Sequence, residues 1–559
     1  MRRVAWIVCA VFIVLAGGLP RPALAEALPL ALSQALTGGG ADAAADGMLT
    51  DEEIETLTVL QRFYGARGHR PLWVLETAAG PRAEKLARLL AAADLDGLDP
   101  ADYRAPQIAA LLATLSSDSR DTPEGLARLE MLLSLGLVRY AGDLGQGRTT
   151  PHVADPELFV FREEVTKEDV LAAAANAADL AGFIDGYRPQ TERYDRQKAS
   201  LAEYRALALL GGWAAIPEGE TLKPGMTDPR VGLLRKRLRL VGDLKPADDA
   251  AERGGAPDFY DPAMEPAVKW MQYRHGLAQD GAVGNKTLAS LNVPIETRIE
   301  QMILNLERRR WMPDDLGQRH IFVNLADQLL KLVDEPRTLL DMPVVVGKPY
   351  HHTPIFSHVM TYVEINPFWN VPPSIARDEL LPKIKQDVSY LAKNNYVLFS
   401  DWSSGAAVVD PQSVDWAQVS QARFPYKIRQ DSGDGNALGR VKFMFPNRFN
   451  IYLHDTPAKS LFGRQERTFS HGCVRVQDPA LLAEVVLQGT AGWDRARIDA
   501  AIAGGERTVV TLKQPLPVHI SYLTSWVNKD GSVHFRNDVY GRDAALAGAL
   551  LGARTGSLR

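Results

Sequence analysis

Near residue 320 the apolar pattern of this chain changes period, and that change limits the fold more than any other feature. Upstream, apolar residues recur at helical spacing. Leu57, Leu60 and Phe63 follow the capping box Thr50-Asp51-Glu52-Glu53, and further helices are expected over 83–93, 105–115, 123–140, 166–178 and 190–210. Breakers such as Gly97-Leu98-Asp99-Pro100 and Gly145-Gln146-Gly147 separate them. Downstream, the apolar runs are short and rich in β-formers: 321–325, 329–333, 342–346, 360–365, 441–445 and 450–453, with closing strands at 509–511 and 518–522. A helical first half followed by a mainly β second half predicts an α+β multidomain protein. The β part is expected to be a sandwich or a partly closed barrel.

The 559 residues are enough for about three or four domains. Residues 26–218 are expected to form a helical scaffold domain without a catalytic constellation; His69 and His152 are isolated there and fit structural roles. A turn-rich break at 219–225 opens a small three-helix unit that ends near 294. Residues 295–318 are expected to form a connecting helix, 319–542 the β domain and 543–559 a frayed helix or tail. Within the β domain, about 367–435 reads as an insertion holding Trp369, Trp402 and Trp416. Long insertions beside catalytic strands are commonly lids or substrate loops, and structural elaboration is the alternative. Trp526 to Val533 fits a hairpin around Asp530-Gly531.

The first 25 residues read as a secretory signal: Arg2-Arg3, an apolar run from Val4 to Ala16, and an Ala23-Leu24-Ala25 end. The run is short for a bilayer span and is closed by Pro20 and Arg21. Cleavage after Ala25 is expected, leaving no stable membrane span. The formal net charge of -5 becomes more negative without Arg2, Arg3 and Arg21. That balance argues against a nucleic-acid binder, whose first requirement is a basic patch.

The chain has two cysteines, Cys9 in the signal and Cys473. The mature protein would then hold one thiol and no internal disulfide. Cys473 stands in Ser470-His471-Gly472-Cys473-Val474-Arg475, and His454 ends the expected strand 19 positions upstream. A cysteine nucleophile needs a base or positive charge nearby to become a thiolate. A hairpin or loop return of this length allows imidazole and thiol to meet. His471 shares a side with Cys473 if the segment is extended. Gly472 permits close approach of substrate, and amides around Gly472 and Cys473 are candidate oxyanion donors. No metal site or cofactor is expected: His351-His352 lies in a Pro-containing turn without acids at ligand spacing.

Two resemblances sharpen this reading. Trp270-x-Gln272-x-x-x-Gly276-Leu277 followed by Asp280-Gly281-x-x-Gly284-x-x-Thr287 closely resembles the peptidoglycan-binding type 1 domain. That family docks glycan or stem peptide, and the module also serves as a spacer. His454, a gap of 15 residues and Ser470-His471-Gly472-Cys473 resemble the H-x(14–17)-[ST]-H-G-C pattern of L,D-transpeptidases with the YkuD-type catalytic domain. Arg475 departs from the commonest form, which has Asn there. It fits the large YcbB-like multidomain class, whose text resembles Asn436-Ala437-Leu438-Gly439-Arg440-Val441-Lys442-Phe443-Met444-Phe445-Pro446-Asn447.

What the resemblance implies is a 3–3 cross-linking reaction. Cys473 attacks the L,D-bond before the terminal D-Ala of a tetrapeptide stem, D-Ala leaves, and a neighbouring diaminopimelate amine resolves the thioester. His454 is then the base, oriented by a backbone carbonyl near Asp455, and His471 orients the site. Ser470 serves as a local hydrogen-bonding residue. Tyr452 and Trp369 are assigned to substrate binding, and Arg475 either binds a substrate carboxylate or holds the loop. The implied partners are peptidoglycan stem peptides and glycan, with cell-wall synthesis partners reached through the helical domain, in the periplasm. Two other readings keep the motif: a carboxypeptidase or wall-linkage amidase using water, and a wall-binding scaffold with a degenerate catalytic domain. A papain-like protease is disfavoured because its nucleophile precedes its histidine.

Overall fold

The computed structural model describes residues 26–39, 51–117, 122–160, 164–249, 251 and 254–555. The expected signal segment and Thr50 of the capping box lie outside these residues. The chain forms two units, Met1–Leu144 with Glu164–Arg188, and Gly145–Glu163 with Pro189–Arg559.

The first unit is helical, with Asp51–Ala66, Gly80–Ala91, Ala105–Ser117, Pro123–Gln146 and Lys167–Asn176 among its helices. The Pro123–Gln146 helix runs straight through Gly142 and Gly145, so the expected stop near residue 140 is overridden by burial of Val138, Tyr140, Ala141 and Leu144. Glu130 is buried on that helix. Its carboxylate accepts from the Tyr64 hydroxyl (2.6 Å) and from the Trp73 and Val74 amides (2.9 and 3.1 Å). These donors satisfy a group that would otherwise be costly to bury. Helix Glu192–Leu209, placed by the sequence reading before the boundary at 218, groups with the second unit, where Tyr194, Leu201 and Tyr204 pack with Val527 and Phe535.

In the second unit, helices Pro229–Leu240, Glu265–Arg274 and Asn285–Leu291 enclose a small core of Val231, Leu234, Leu238, Val268 and Met271. The motif glutamine is structural: Gln272 Nε2 donates to Asp280 Oδ1 (2.8 Å) and the Ala282 carbonyl (2.9 Å), and Gln272 Oε1 accepts from the Gly281 amide (3.0 Å). Gly281 has φ +72°, which explains the glycine.

The strands are β1 (Leu158–Phe159), β2 (Arg319–Asn324), β3 (Leu329–Asp334), β4 (Arg337–Gly347), β5 (Ile355–Ile365), β6 (Trp369–Asn370), β7 (Tyr396–Phe399) and β8 (Val408–Val409). They continue with β9 (Lys427–Gln430), β10 (Val441–Met444), β11 (Leu453–His454), β12 (Thr468–Ser470), β13 (Val474–Val476), β14 (Thr508–Ser521), β15 (Ser525–Val527) and β16 (Val533–Phe535). The main sheet runs β5-β10-β11-β13-β4-β3-β2-β14, and β14 pairs back onto β5. The barrel is therefore closed. Closure depends on β14: the expected separate strands 509–511 and 518–522 are one long strand with a bulge between Thr511 and Leu516, which pairs β5 along its length and β2 at its end. Ile321, Val323, Leu330, Leu332, Val344, Val363 and Phe443 fill the interior, as in small barrels generally.

Between β5 and β10 the insertion builds its own four-stranded sheet, β6-β9-β7-β8, over a core of Val371, Leu381, Ile384, Leu398 and Ile428. The C-terminal segment expected as a frayed helix or tail is a helix, Arg542–Thr555, whose Leu546, Ala549 and Leu550 join the barrel's core cluster.

Candidate active site

Strand 450–453 of the sequence reading begins later than expected, because Asn450 takes a left-handed conformation (φ +55°). The Asn447 side chain ties this turn, accepting from the Phe449 amide (3.0 Å) and donating to the Ile451 carbonyl (2.7 Å). The turn delivers β11 alongside β13 in parallel register, Leu453 opposite Val474 and His454 opposite Arg475. Across the neighbouring strands, Glu364 is opposite Lys442 and Lys442 opposite His454. Glu364, Lys442, His454 and Arg475 thus form one row across the barrel wall. Side chains alternate by two along a strand, so Tyr452 and Cys473 share the face of that row.

The Cys473 loop is held from both sides. Ser470 Oγ donates to the Cys473 carbonyl (2.5 Å) and accepts from the Gly472 amide (3.2 Å). Buried Thr353 donates to the Gly472 carbonyl (2.7 Å) and accepts from the Gly347 amide (3.0 Å). Gly472 has φ +109°, and a Cβ there would lie 3.4 Å from the His352 carbonyl oxygen. Glycine is required here for its backbone conformation.

Cys473 is partly exposed, and its Sγ lies 3.7 Å from the Asn450 carbonyl. Burial of the thiol pushes its pKa up, while hydrogen bonding from Tyr452 and the charges of Lys442 and Arg475 pull it down. The Tyr452 side chain stands beside the thiol, and burial together with the neighbouring thiolate holds its own pKa well up. Lys442 sits over the Tyr452 ring, 4.1 Å from its centroid. Sequence reasoning missed Lys442; its one available signal was a lysine at an alternate position of an otherwise apolar strand.

His454 is 4 % exposed, and its Nδ1 lies 2.5 Å from the Asp455 carbonyl, an orientation set by backbone. The Asp455 carboxylate is engaged elsewhere, with the Arg440 amide (2.7 Å) and Lys459 (2.6 Å). Burial, then the Arg475 and Lys442 charges, push the imidazole pKa down to about 3 against the Asp455 and Leu438 carbonyls. The ring is neutral at physiological pH. Among the described residues, no hydrogen bond joins it to the Cys473 thiol, which is directed to the Asn450 carbonyl.

His471 is directed to the insertion, its Nε2 2.5 Å from Glu379 Oε1. Burial lowers its pKa and Glu379 opposes that shift. The insertion therefore reaches the cysteine loop through Glu379 at His471. Arg475 is held below its usual pKa by burial, with the thiol opposing, and its Nε is buried without a hydrogen-bond partner. His352, expected in a plain turn, stacks on Tyr540 at 4.4 Å and pairs with Glu157 at 3.1 Å.

A thiol, a neutral buried imidazole and two cations on a barrel wall define a centre suited to covalent acyl chemistry. Residues 318–507 match the model of the L,D-transpeptidase catalytic domain, residues 227–291 a putative peptidoglycan binding domain and residues 58–201 a scaffold domain. The chain thus carries a YkuD-type L,D-transpeptidase catalytic domain with a peptidoglycan-binding type 1 module, an arrangement that fits the YcbB-like multidomain class. A putative L,D-transpeptidase of Haemophilus influenzae is 34 % identical over 281 residues. The match covers 49 % of this chain and 56 % of that relative, so the chain spans little more than half of its length. Two crystal structures are also similar. An L,D-transpeptidase from Xylanimonas cellulosilytica shows 14 % identity over 54 % of this chain and 98 % of that one, with a TM-score of 0.17. A fused Zn-dependent amidase/peptidase/peptidoglycan-binding protein from Clostridium acetobutylicum shows 11 % identity over 54 % of this chain and 100 % of that one, with a TM-score of 0.14. At those scores neither likeness bears on this chain's chemistry.

Proposed function

We propose that this protein is a peptidoglycan L,D-transpeptidase that forms 3–3 cross-links outside the cytoplasmic membrane. The observation that carries the reading is the Glu364-Lys442-His454-Arg475 row beside Cys473, with a neutral imidazole and an unsatisfied guanidinium nitrogen. Arg475 and Lys442 supply the positive charge that a stem peptide's terminal carboxylate needs. With that carboxylate held, Cys473 Sγ attacks the carbonyl of the bond preceding D-Ala, and the thiol proton passes to His454. Oxyanion charge falls near the Cys473 amide and the Tyr452 hydroxyl. Collapse breaks the C–N bond, His454 returns the proton to the leaving D-Ala amine, and a thioester remains. A diaminopimelate side-chain amine then attacks the thioester, the C–S bond breaks, and the proton released by the amine restores the thiol. Trp369 and Glu379, reaching over from the insertion, border the substrate path. Ser470, Gly472 and His471 hold the loop in place, and the peptidoglycan-binding module brings the wall to the domain.

The test is mass spectrometry of the protein with tetrapeptide muropeptides, beside Cys473→Ala. D-Ala release with a new stem-to-stem dimer, absent in the variant, is the expected result. D-Ala release without dimer would assign water as the acceptor and make the protein a carboxypeptidase. Neither release nor an acyl adduct on folded protein would overturn the catalytic reading in favour of a wall-binding scaffold.

A further inference from the structure

A cavity of about 530 Å³ lies on the outer wall of the barrel and shares no lining residue with the cysteine site. Its volume falls in the range of small-molecule sites. Because Ile321, Val323, Leu330 and Leu332 point into the barrel, the alternate residues Phe322, Leu329 and Val333 face outward and form its floor. Met312, from beyond the Ile295–Trp311 helix, and Trp526 of β15 add further apolar walls. Hydrophobic side chains left partly uncovered around a concave space are what an organic ligand requires.

The buried cation lining this space is Arg309. Three consecutive arginines end the Ile295–Trp311 helix, and their surroundings differ. Arg308 pairs with Asp543 at 2.5 Å and Arg310 with Glu307 at 2.7 Å. Arg309 is only 8 % exposed and lines the cavity; its guanidinium has no hydrogen-bond or ion-pair partner among the described residues, and its Nε is fully buried. Most other charges around the space are engaged: Arg196 with Glu192 (3.0 Å), Arg193 with the Asp314 carbonyl (3.4 Å), Lys529 with Glu335 (3.4 Å) and Asp327 with Arg536 (2.6 Å). Lys331, half-buried, lines the space as a further cation. Burial, together with the charges of Arg193 and Arg196, pulls the Arg309 pKa down to about 9, so the cation remains at neutral pH without a counter-charge. An unpaired buried cation is strongly unfavourable unless an anion reaches it.

We propose that this cavity binds a small organic carboxylate, its carboxylate bidentate on Arg309 and its apolar body against Phe322, Leu329 and Trp526. A planar guanidinium matches carboxylate geometry. Inorganic phosphate lacks the apolar body that Phe322, Leu329 and Trp526 would cover.

Isothermal titration of the full chain with hexanoate, hexanamide and inorganic phosphate tests this. Hexanoate should bind, with hexanamide and phosphate each at least tenfold weaker. Arg309→Met keeps the side chain's bulk, removes the charge, and should lower hexanoate affinity to that of hexanamide without lowering Tm. Leu329→Trp fills the cavity from the barrel side, leaves Arg309 intact, and should also abolish binding. No binding of hexanoate to the wild type, or equal affinity for hexanoate and hexanamide, overturns the proposal. Tighter binding of phosphate than of hexanoate overturns the assignment to an organic acid. The amide comparison needs no variant, so a folding defect in Arg309→Met leaves the proposal testable.

Discussion

The Tyr452 side chain lies beside the Cys473 thiol, with Lys442 over its ring 4.1 Å from the centroid. Donation from Tyr452 favours the thiolate, so the pair partly offsets the upward push of burial on the thiol. A hydrogen bond to a charged group is worth roughly 1.5–3 kcal/mol. Tyr452→Phe should therefore raise the thiol pKa and slow iodoacetamide alkylation of Cys473 at pH 7 by about tenfold or more. Mass spectrometry of the alkylated protein over time measures this, and an unchanged rate would remove Tyr452 from thiol activation.

Because burial raises the Cys473 pKa and His454 is held near about 3, the free enzyme contains a neutral thiol and a neutral imidazole at pH 7. The thiolate fraction rises with pH through and above the ordinary thiol range. Alkylation of wild-type Cys473 should still be climbing at pH 9. A plateau reached below neutral pH would instead indicate a preformed thiolate–imidazolium pair.

His454→Gln retains a polar side chain on β11 and removes the proton acceptor. Loss of a positioned general base typically costs about 10²–10⁴-fold. Acylation of Cys473 by a tetrapeptide donor should fall by that order, with the circular-dichroism spectrum unchanged. Retention of most of the rate would shift the base role to another group.

Thr353 is fully buried and joins the β4 end at Gly347 to the loop carbonyl of Gly472. Thr353→Val removes the hydroxyl and leaves both backbone groups unsatisfied, at roughly 1–3 kcal/mol each. Urea denaturation should show a loss of that size, together with a lower kcat. A stability change near zero would show that water or relaxation replaces the hydroxyl.

Much of the domain order was legible in the text. The change of period near His320, the Trp270–Thr287 motif and the single downstream cysteine are local patterns, and local patterns survive in sequence. The hairpin around Asp530-Gly531 was legible for the same reason: its turn chemistry is set by adjacent residues. Closure of the barrel was not, because it depends on β14 pairing with both β2 and β5, and a bulge inside one strand looks like a break between two. Helix Arg542–Thr555 looked like a tail because its partners, among them the Arg308 side chain, lie hundreds of positions away.

The same division runs through the candidate site. By itself the sequence determined the chemical inventory: one thiol in a Ser-His-Gly-Cys loop, a histidine upstream, an arginine two positions on and an inserted segment. Tertiary structure decided how those groups are disposed. It set His454 between Lys442 and Arg475, turned its ring to the Asp455 carbonyl, directed His471 to Glu379 and left Arg309 beside a cavity on the outer barrel wall without a counter-charge. The reason is physical. Residue type fixes which bonds a group is able to make, whereas burial, strand register and the distance to other charges arise only when remote segments pack together.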